Sequence, residues 1–130
     1  MLNKLRDDIH KNAVNHGWWD EERSFGDIIA LCHSELSEAL EEYRKGATPF
    51  NVYFICQKDY NCGLYEPGQV NPECQDCLQH KPEGIPTELA DTIIRILDYC
   101  GKEGIDIEAA INIKHEYNKT RPYKHGGKKI

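Results

Sequence analysis

The 130 residues suffice for one domain with a single core, and 39% hydrophobic with 29% charged residues excludes a globally disordered chain. No apolar run approaches the roughly 18 residues of a membrane span, and the charged N-terminal segment lacks a signal peptide's apolar core. The net charge of −6 makes nucleic acid an unsuitable partner. We therefore expect a cytoplasmic protein that acts away from membranes.

Two helices are predicted in the first 46 residues. Apolar residues recur at helical spacing from Leu2 to about Asn15 and again from about Phe25 to Lys45. Ser24 is a plausible N-cap, Asp27 completes a capping box, and Gly46 provides the stop. The buried stripe of the second helix is predicted to hold Ile28, Ile29, Leu31, Cys32, Leu36, Ala39, Leu40 and Tyr43.

Residues 47–83 are rich in cysteine and proline and show no sustained helical period. A stretch of this length without structure is unusual in a compact domain, so we interpret it as an insertion between two helices. We expect it to contain at most a short hairpin around Asn51–Ile55.

The insertion also predicts a structural zinc site formed by Cys56, Cys62, Cys74 and Cys77. The second pair has the CxxC spacing of a tetrahedral Zn²⁺ site, whereas the gap between the first two cysteines is wider than usual. A reducing cytoplasm favours metal over disulfides. Free thiols, disulfides and an iron–sulfur cluster remain alternatives, and His80 is a possible substitute ligand.

Two further helices follow the insertion. One opens at Pro86 and ends near residues 101–104, and the other runs from about Asp106 to Thr120, where Pro122 prevents continuation. The first of them is predicted to bury Leu89, Ala90, Ile93, Ile94, Ile96, Leu97 and Cys100. The prediction is an all-α four-helix bundle in a single domain, 1–130, with helical core 1–46 and 84–121, insertion 47–83 and basic tail 122–130.

Two pairs of acids stand out on the second and third helices. Glu35 and Glu38 are three residues apart, as are Glu88 and Asp91, so each pair shares one helix face among apolar neighbours. Four converging carboxylates would repel one another unless a cation bound between them. A solvated acidic face is the alternative. Glu41 and Glu42 are expected to be its solvated members, although Glu42, four residues after Glu38, could approach the site.

The ligand types favour Mg²⁺, with Mn²⁺ as the alternative, because both prefer oxygen ligands. A di-iron bundle would require Glu-x-x-His pairs, which are absent here. The segment 114–130 carries six Lys or Arg against one Glu. A cationic segment beside a carboxylate cluster suits a metal-bound polyphosphate.

The strings HSELSEALEEYRKG, ELADTIIRILDYC and KHEYNKTRP resemble the MazG-like branch of the all-α NTP pyrophosphohydrolase superfamily. The resemblance covers roughly residues 1–46 and 84–125, and the insertion is not part of the common pattern. It implies Mg²⁺-dependent hydrolysis of a nucleoside triphosphate to the monophosphate and pyrophosphate. It assigns the metal to Glu35, Glu38, Glu88 and Asp91.

The resemblance also implies the rest of the substrate site. Lys114, Asn118 and Arg121 match the phosphate-contacting positions, and Lys114 would stabilise developing charge during catalysis. Trp19 is our candidate for stacking on the nucleobase, with core packing as its alternative. Glu38 or Glu35 is the candidate general base.

A homodimer or homotetramer is also implied, and two strongly apolar helices fit that expectation. The rival hypothesis is a non-enzymatic, zinc-stabilised binding or regulatory module.

Overall fold

A computed structural model describes residues 1–56, 64–65, 80–127 and 129. Within these residues the chain forms four long helices, α1 (Leu2–Asn15), α2 (Phe25–Arg44), α3 (Ile85–Glu103) and α4 (Ile107–Lys119), and a short helix α5 (Lys124–Gly127). The predicted all-α character is confirmed, and each long helix begins and ends within about one residue of its predicted limits. Among the described residues, no helix is both long and apolar enough to cross a membrane.

Local signals in the sequence set the start of α2. The Ser24 hydroxyl accepts a hydrogen bond from the Asp27 backbone N–H at 3.1 Å, and the Asp27 carboxylate accepts one from the Ser24 N–H at 3.4 Å. This reciprocal pair is the predicted capping box, which satisfies two N–H groups that a helix start otherwise leaves without partners.

The insertion forms more regular structure than predicted. Strands β1 (Tyr53–Cys56), β2 (Leu64–Tyr65) and β3 (His80–Glu83) make an antiparallel sheet in the order β2-β1-β3. β3, at the end of the insertion, pairs with β1. The region predicted to form a short hairpin therefore contains the central strand of the sheet. Cys62, Cys74 and Cys77 lie outside the described residues, so the zinc site stays a prediction.

The chain divides into two compact units, each described here by itself. The central unit, Arg23–Arg95, contains α2, the sheet and the first part of α3, and it buries Ile28, Cys32 and Ala39. The terminal unit, Met1–Glu22 with Ile96–Ile130, contains α1, the rest of α3, α4 and α5, and it buries Ala13, Leu97 and Cys100.

The predicted apolar stripes of α2 and α3 were partly wrong. The buried residues of α2 follow a repeat that includes two acids: Ile28, Cys32, Glu35, Ala39 and Glu42. Several larger apolar side chains predicted to be buried are exposed instead: Ile29, Leu36, Leu40, Tyr43, Leu89, Ile93, Ile94 and Ile96; Ala90 is exposed as well. Among the described residues of α2, the buried positions include Glu35 and Glu42, while these apolar side chains are exposed.

Gly101 allows the close approach of α3 to α1 inside the terminal unit. A Cβ added at this position would lie 2.5 Å from the His10 Cβ and 3.2 Å from the Arg6 carbonyl oxygen. We expect Gly101→Ala to lower the free energy of unfolding by roughly 2 kcal/mol, because the backbone of α1 must move.

Urea denaturation tests this expectation, with Gly26→Ala in α2 as the matched control. The nearest atom to a Cβ at Gly26 is the Ser24 hydroxyl oxygen at 3.8 Å, so the control should gain about 0.5–1 kcal/mol from helix propensity. Equal stabilisation of both variants would show that the two helices do not approach each other at Gly101.

Candidate metal centre

Three of the four predicted acids come together in the central unit. One carboxylate oxygen from each of Glu35, Glu88 and Asp91 lies within 4.8 Å of the other two. Glu35 and Glu88 are only 8% and 3% exposed, and Asp91 is half-buried. The three-residue spacing on α3 aligns Glu88 with Asp91, as the helical geometry predicts. We call these three residues the carboxylate trio.

Glu38, the fourth predicted acid, is exposed and lies outside the trio. It still contacts the trio, because its carboxyl group shares a hydrogen bond with that of Glu88. Burial, followed by hydrogen bonds to Glu83 and Glu38, raises the pKa of Glu88 to about 8. Glu88 therefore holds a proton near neutral pH when no cation is bound.

Asp91 is shifted in the same direction. Its pKa is raised mainly by burial and then by the charge of Glu35, against the opposing effects of Arg95 and Lys81. Two carboxyl groups that resist ionisation next to each other are the electrostatic signature of a site that favours a cation.

Arg95 partly offsets this negative charge, and sequence reasoning missed it. Its Nε donates to Glu35 Oε1 at 2.7 Å. Arg95 is four residues after Asp91 and seven after Glu88, so it lies on the same face of α3 as the trio. This spacing could have indicated Arg95 as a neighbour of the acids, but only the acidic residues were considered as members of the site.

Arg95→Gln is expected to destabilise the metal-free protein by roughly 2 kcal/mol, because it leaves a buried carboxylate without its cation. Chemical denaturation in the presence of a chelator measures the change. The matched control is Arg44→Gln, which removes an exposed pair with Glu41 at 3.5 Å and should cost less than about 0.5 kcal/mol. Equal costs for the two variants would contradict the role given to Arg95.

Glu42 is a second residue whose burial differs from the first expectation. It was expected to be solvated, with an approach to the site as the alternative, and it is only 8% exposed, because the tyrosine of β1 covers it. Tyr53 Oη lies 2.7 Å from Glu42 Oε1 and 2.9 Å from Oε2 and donates its proton to this carboxylate. Burial and then the hydrogen bond to Glu42 raise the pKa of Tyr53.

Strand β3 contributes two more charged side chains. Lys81 Nζ lies 2.9 Å from Glu83 Oε1, and the Glu83 carboxyl group shares a hydrogen bond with Glu88. The insertion therefore reaches the acids of α2 and α3. Nothing in the sequence pattern indicated this contact, because the insertion has no helical or strand periodicity.

The predicted phosphate-contacting residues belong to the terminal unit. Lys114 and Asn118 lie four residues apart on one face of α4, and Arg121 follows the end of the helix, so the shared face predicted for all three is shown only for the first two. Lys114 and Asn118 are exposed, and Lys114 Nζ lies 5.1 Å from the centre of the Tyr117 ring.

Trp19 is also in the terminal unit and is half-buried. Its indole N–H donates to Asp98 Oδ1 at 2.9 Å, and the same oxygen lies 2.8 Å from His10 Nδ1. Lys102 Nζ sits 5.0 Å from the centre of the indole ring. These contacts hold the indole in one orientation.

The donor set of the central unit suits a hard divalent cation. The trio offers carboxylate oxygens and no nitrogen or sulfur, which is the ligand chemistry of Mg²⁺ and Mn²⁺. No protein-family model, curated protein or solved structure matches the chain.

Proposed function

We propose that the protein hydrolyses nucleoside triphosphates, NTP or dNTP, to the monophosphate and pyrophosphate in a Mg²⁺-dependent reaction. The observation that carries this proposal is the carboxylate trio, whose oxygens converge within 4.8 Å in a largely buried site. Acids whose pKa values are raised by burial and by neighbouring carboxyl groups are a costly arrangement for a protein with no cation to bind. The order of acidic and basic motifs along the chain supplies the nucleotide part of the proposal.

Bound at these carboxylates, Mg²⁺ or Mn²⁺ supplies charge neutralisation for the phosphate oxygens of the substrate. Glu38 is the better candidate for the general base that takes a proton from the attacking water. Glu35 is less suited to that role because its carboxylate already accepts a hydrogen bond from Arg95. Glu38 is exposed and borders Glu88, so water reaches it.

The cationic face of α4 is proposed to bind the phosphates. Lys114 and Arg121 supply positive charge for the developing negative charge and for the pyrophosphate leaving group, and Asn118 supplies an amide donor between them. The Lys114 side chain is exposed, and its ammonium lies 5.1 Å from the centre of the Tyr117 ring.

Trp19 is proposed to stack on the nucleobase. An indole that is half-buried and held by Asp98 presents a ring whose orientation is already fixed, which lowers the entropy cost of stacking. Removing that ring should therefore weaken nucleotide binding more than it weakens binding of inorganic pyrophosphate.

Assembly into a homodimer or homotetramer is part of the same proposal. The exposed apolar side chains of α2 include Leu36, Leu40 and Tyr43, which recur at helical spacing along one side. Contiguous apolar surface of this kind is typical of protein interfaces. Sedimentation or light scattering of the purified chain measures its oligomeric state.

Structural zinc in the insertion also remains a proposal. The sheet register pairs Cys56 of β1 with His80 of β3, so the backbone positions of two of the candidate ligands lie opposite each other on adjacent strands. Metal analysis of protein purified anaerobically without chelators tests it, and a zinc-free folded protein would refute it.

The decisive experiment on function is a panel of the eight common NTPs and dNTPs with Mg²⁺, measuring release of pyrophosphate and of monophosphate. Detection of both products in equal amounts is the expected result, and it distinguishes this reaction from release of inorganic phosphate. Failure to release pyrophosphate from any of the eight would overturn the proposal and favour the non-enzymatic module. The same panel measures base and sugar preference.

A further inference from the structure

One face of the insertion's sheet carries a polar group of side chains. Side chains two residues apart on a strand share a face, so Lys81 and Glu83 of β3 point to the same side. The register pairs Glu83 with Tyr53 and Lys81 with Ile55, which places those two residues of β1 on that side as well. We call Tyr53, Ile55, Lys81 and Glu83 the inner sheet face.

The inner sheet face contacts the acids of the two helices at two points. Tyr53 donates to Glu42 of α2 at 2.7 Å, and Glu83 shares a hydrogen bond with Glu88 of α3. All of these residues belong to the central unit. The sheet therefore forms one wall of the candidate metal centre, although the family pattern does not include the insertion.

Lys81 places a positive charge on this wall. Its side chain is 53% exposed, and its Nζ lies 2.9 Å from Glu83 Oε1. The charges of Glu88 and Glu38 also act on it and, after the hydrogen bond and charge of Glu83, help to raise its pKa. Lys81 thus carries a full positive charge at the solvent-exposed edge of the acids.

Arg95 and Lys81, two cations among the described residues of the central unit, differ in their availability to a ligand. Arg95 is committed to Glu35 through its Nε and is mostly buried. A lysine ammonium has three donors, and the contact with Glu83 uses one of them. Lys81 keeps donors for a second acceptor without giving up its ion pair.

We propose that Lys81 is a substrate-binding residue, whose ammonium contacts the polyphosphate of a nucleotide held at the carboxylate trio. The inference rests on the proposed function and extends it to the insertion, which then supplies part of the substrate site. The alternative is a structural role in which Lys81 only neutralises Glu83. The experiment must distinguish this role from substrate binding.

The test measures binding of inorganic tripolyphosphate to the full-length protein by calorimetry, in the presence of Mn²⁺, for the wild type, Lys81→Gln and Lys81→Arg. We expect Lys81→Gln to weaken tripolyphosphate binding roughly tenfold or more, because it removes a charge-assisted hydrogen bond. Lys81→Arg keeps the charge and should stay close to wild-type affinity. Affinity for Mn²⁺ alone, measured first, should not fall in either variant.

The matched control is Lys119→Gln, on α4. Lys119 is similarly exposed, at 57%, and forms a comparable ion pair with Glu116 at 2.6 Å. It lies outside the inner sheet face and, one residue after Asn118, off the face of α4 that is proposed to bind phosphate. Its replacement should leave tripolyphosphate affinity unchanged.

Three outcomes would overturn the assignment of Lys81. These are unchanged tripolyphosphate affinity in Lys81→Gln, an equal loss of Mn²⁺ affinity in that variant, and no tripolyphosphate binding by the wild type. Pyrophosphate release by the wild type is assayed separately. If the wild type releases pyrophosphate and Lys81→Gln does not weaken tripolyphosphate binding, the proposed function holds and the assignment of Lys81 fails. If binding depends on Lys81 but no pyrophosphate is released, the binding site holds and the proposed function fails.

Discussion

Glu38→Gln is expected to lower the rate of pyrophosphate release at least about a hundredfold, which is the usual contribution of a general base. The amide is close in size to the carboxylate but cannot accept a proton from water at neutral pH. Glu38 is exposed, so the fold should persist. Steady-state kinetics with Mg²⁺ and the best substrate of the panel measure the effect, and circular dichroism with urea denaturation checks folding.

Glu41→Gln is the matched control for this prediction. Glu41 is also exposed on α2, but it forms its ion pair with Arg44 and lies outside the group of acids around Glu88. The control should retain most of the wild-type rate. Wild-type turnover in Glu38→Gln would remove Glu38 from the reaction and return the role of base to Glu35.

The second large effect concerns stability and pH. Glu88 has a pKa of about 8 in the folded protein, against an ordinary value of 4.5. Between these two pH values the folded state holds a proton that the unfolded chain has released, so stability falls as pH rises. We expect the metal-free protein to lose on the order of 3 to 5 kcal/mol from this group between about pH 5 and pH 8.

Urea denaturation across this pH range, with and without millimolar Mg²⁺, measures the effect. Mg²⁺ should reduce the loss, because a bound cation stabilises the ionised carboxylate and the folded state that holds it. Glu88→Gln should lack both the loss and the response to Mg²⁺, and its difference from the wild type isolates Glu88 from the histidines. Parallel pH profiles for the two proteins would contradict the buried position assigned to Glu88.

The helices could be predicted from the sequence because their signals are local. The capping box of Ser24 and Asp27 and the stop at Gly46 involve residues within a few positions of each other, and the structure confirms the first directly. The spacing of Glu88 and Asp91 is local too, which is why their shared face was predictable.

The buried side of α2 could not be predicted, because it depends on which other parts of the chain pack against the helix. Apolar content favoured Leu36 and Leu40 as core residues, whereas the chain buries Glu35 and Glu42 on the other side of α2. Tyr53 covers Glu42 from a strand more than ten residues away. The residues around Tyr53 and Glu42 show no sequence pattern that would predict this contact.

The direct passage from β3 into α3 has a consequence for engineering. Only Gly84, with a φ of +123°, separates Glu83 from the first residue of α3, and a Cβ there would clash with the Asn51 carbonyl oxygen. One added residue at this junction would turn α3 by about 100° relative to the strand, since an α-helix has 3.6 residues per turn. Glu88 and Asp91 would then swing away from Glu35. The one-residue junction therefore fixes the rotation of α3 relative to β3. A chimeric protein that exchanges the insertion must keep this junction at one residue.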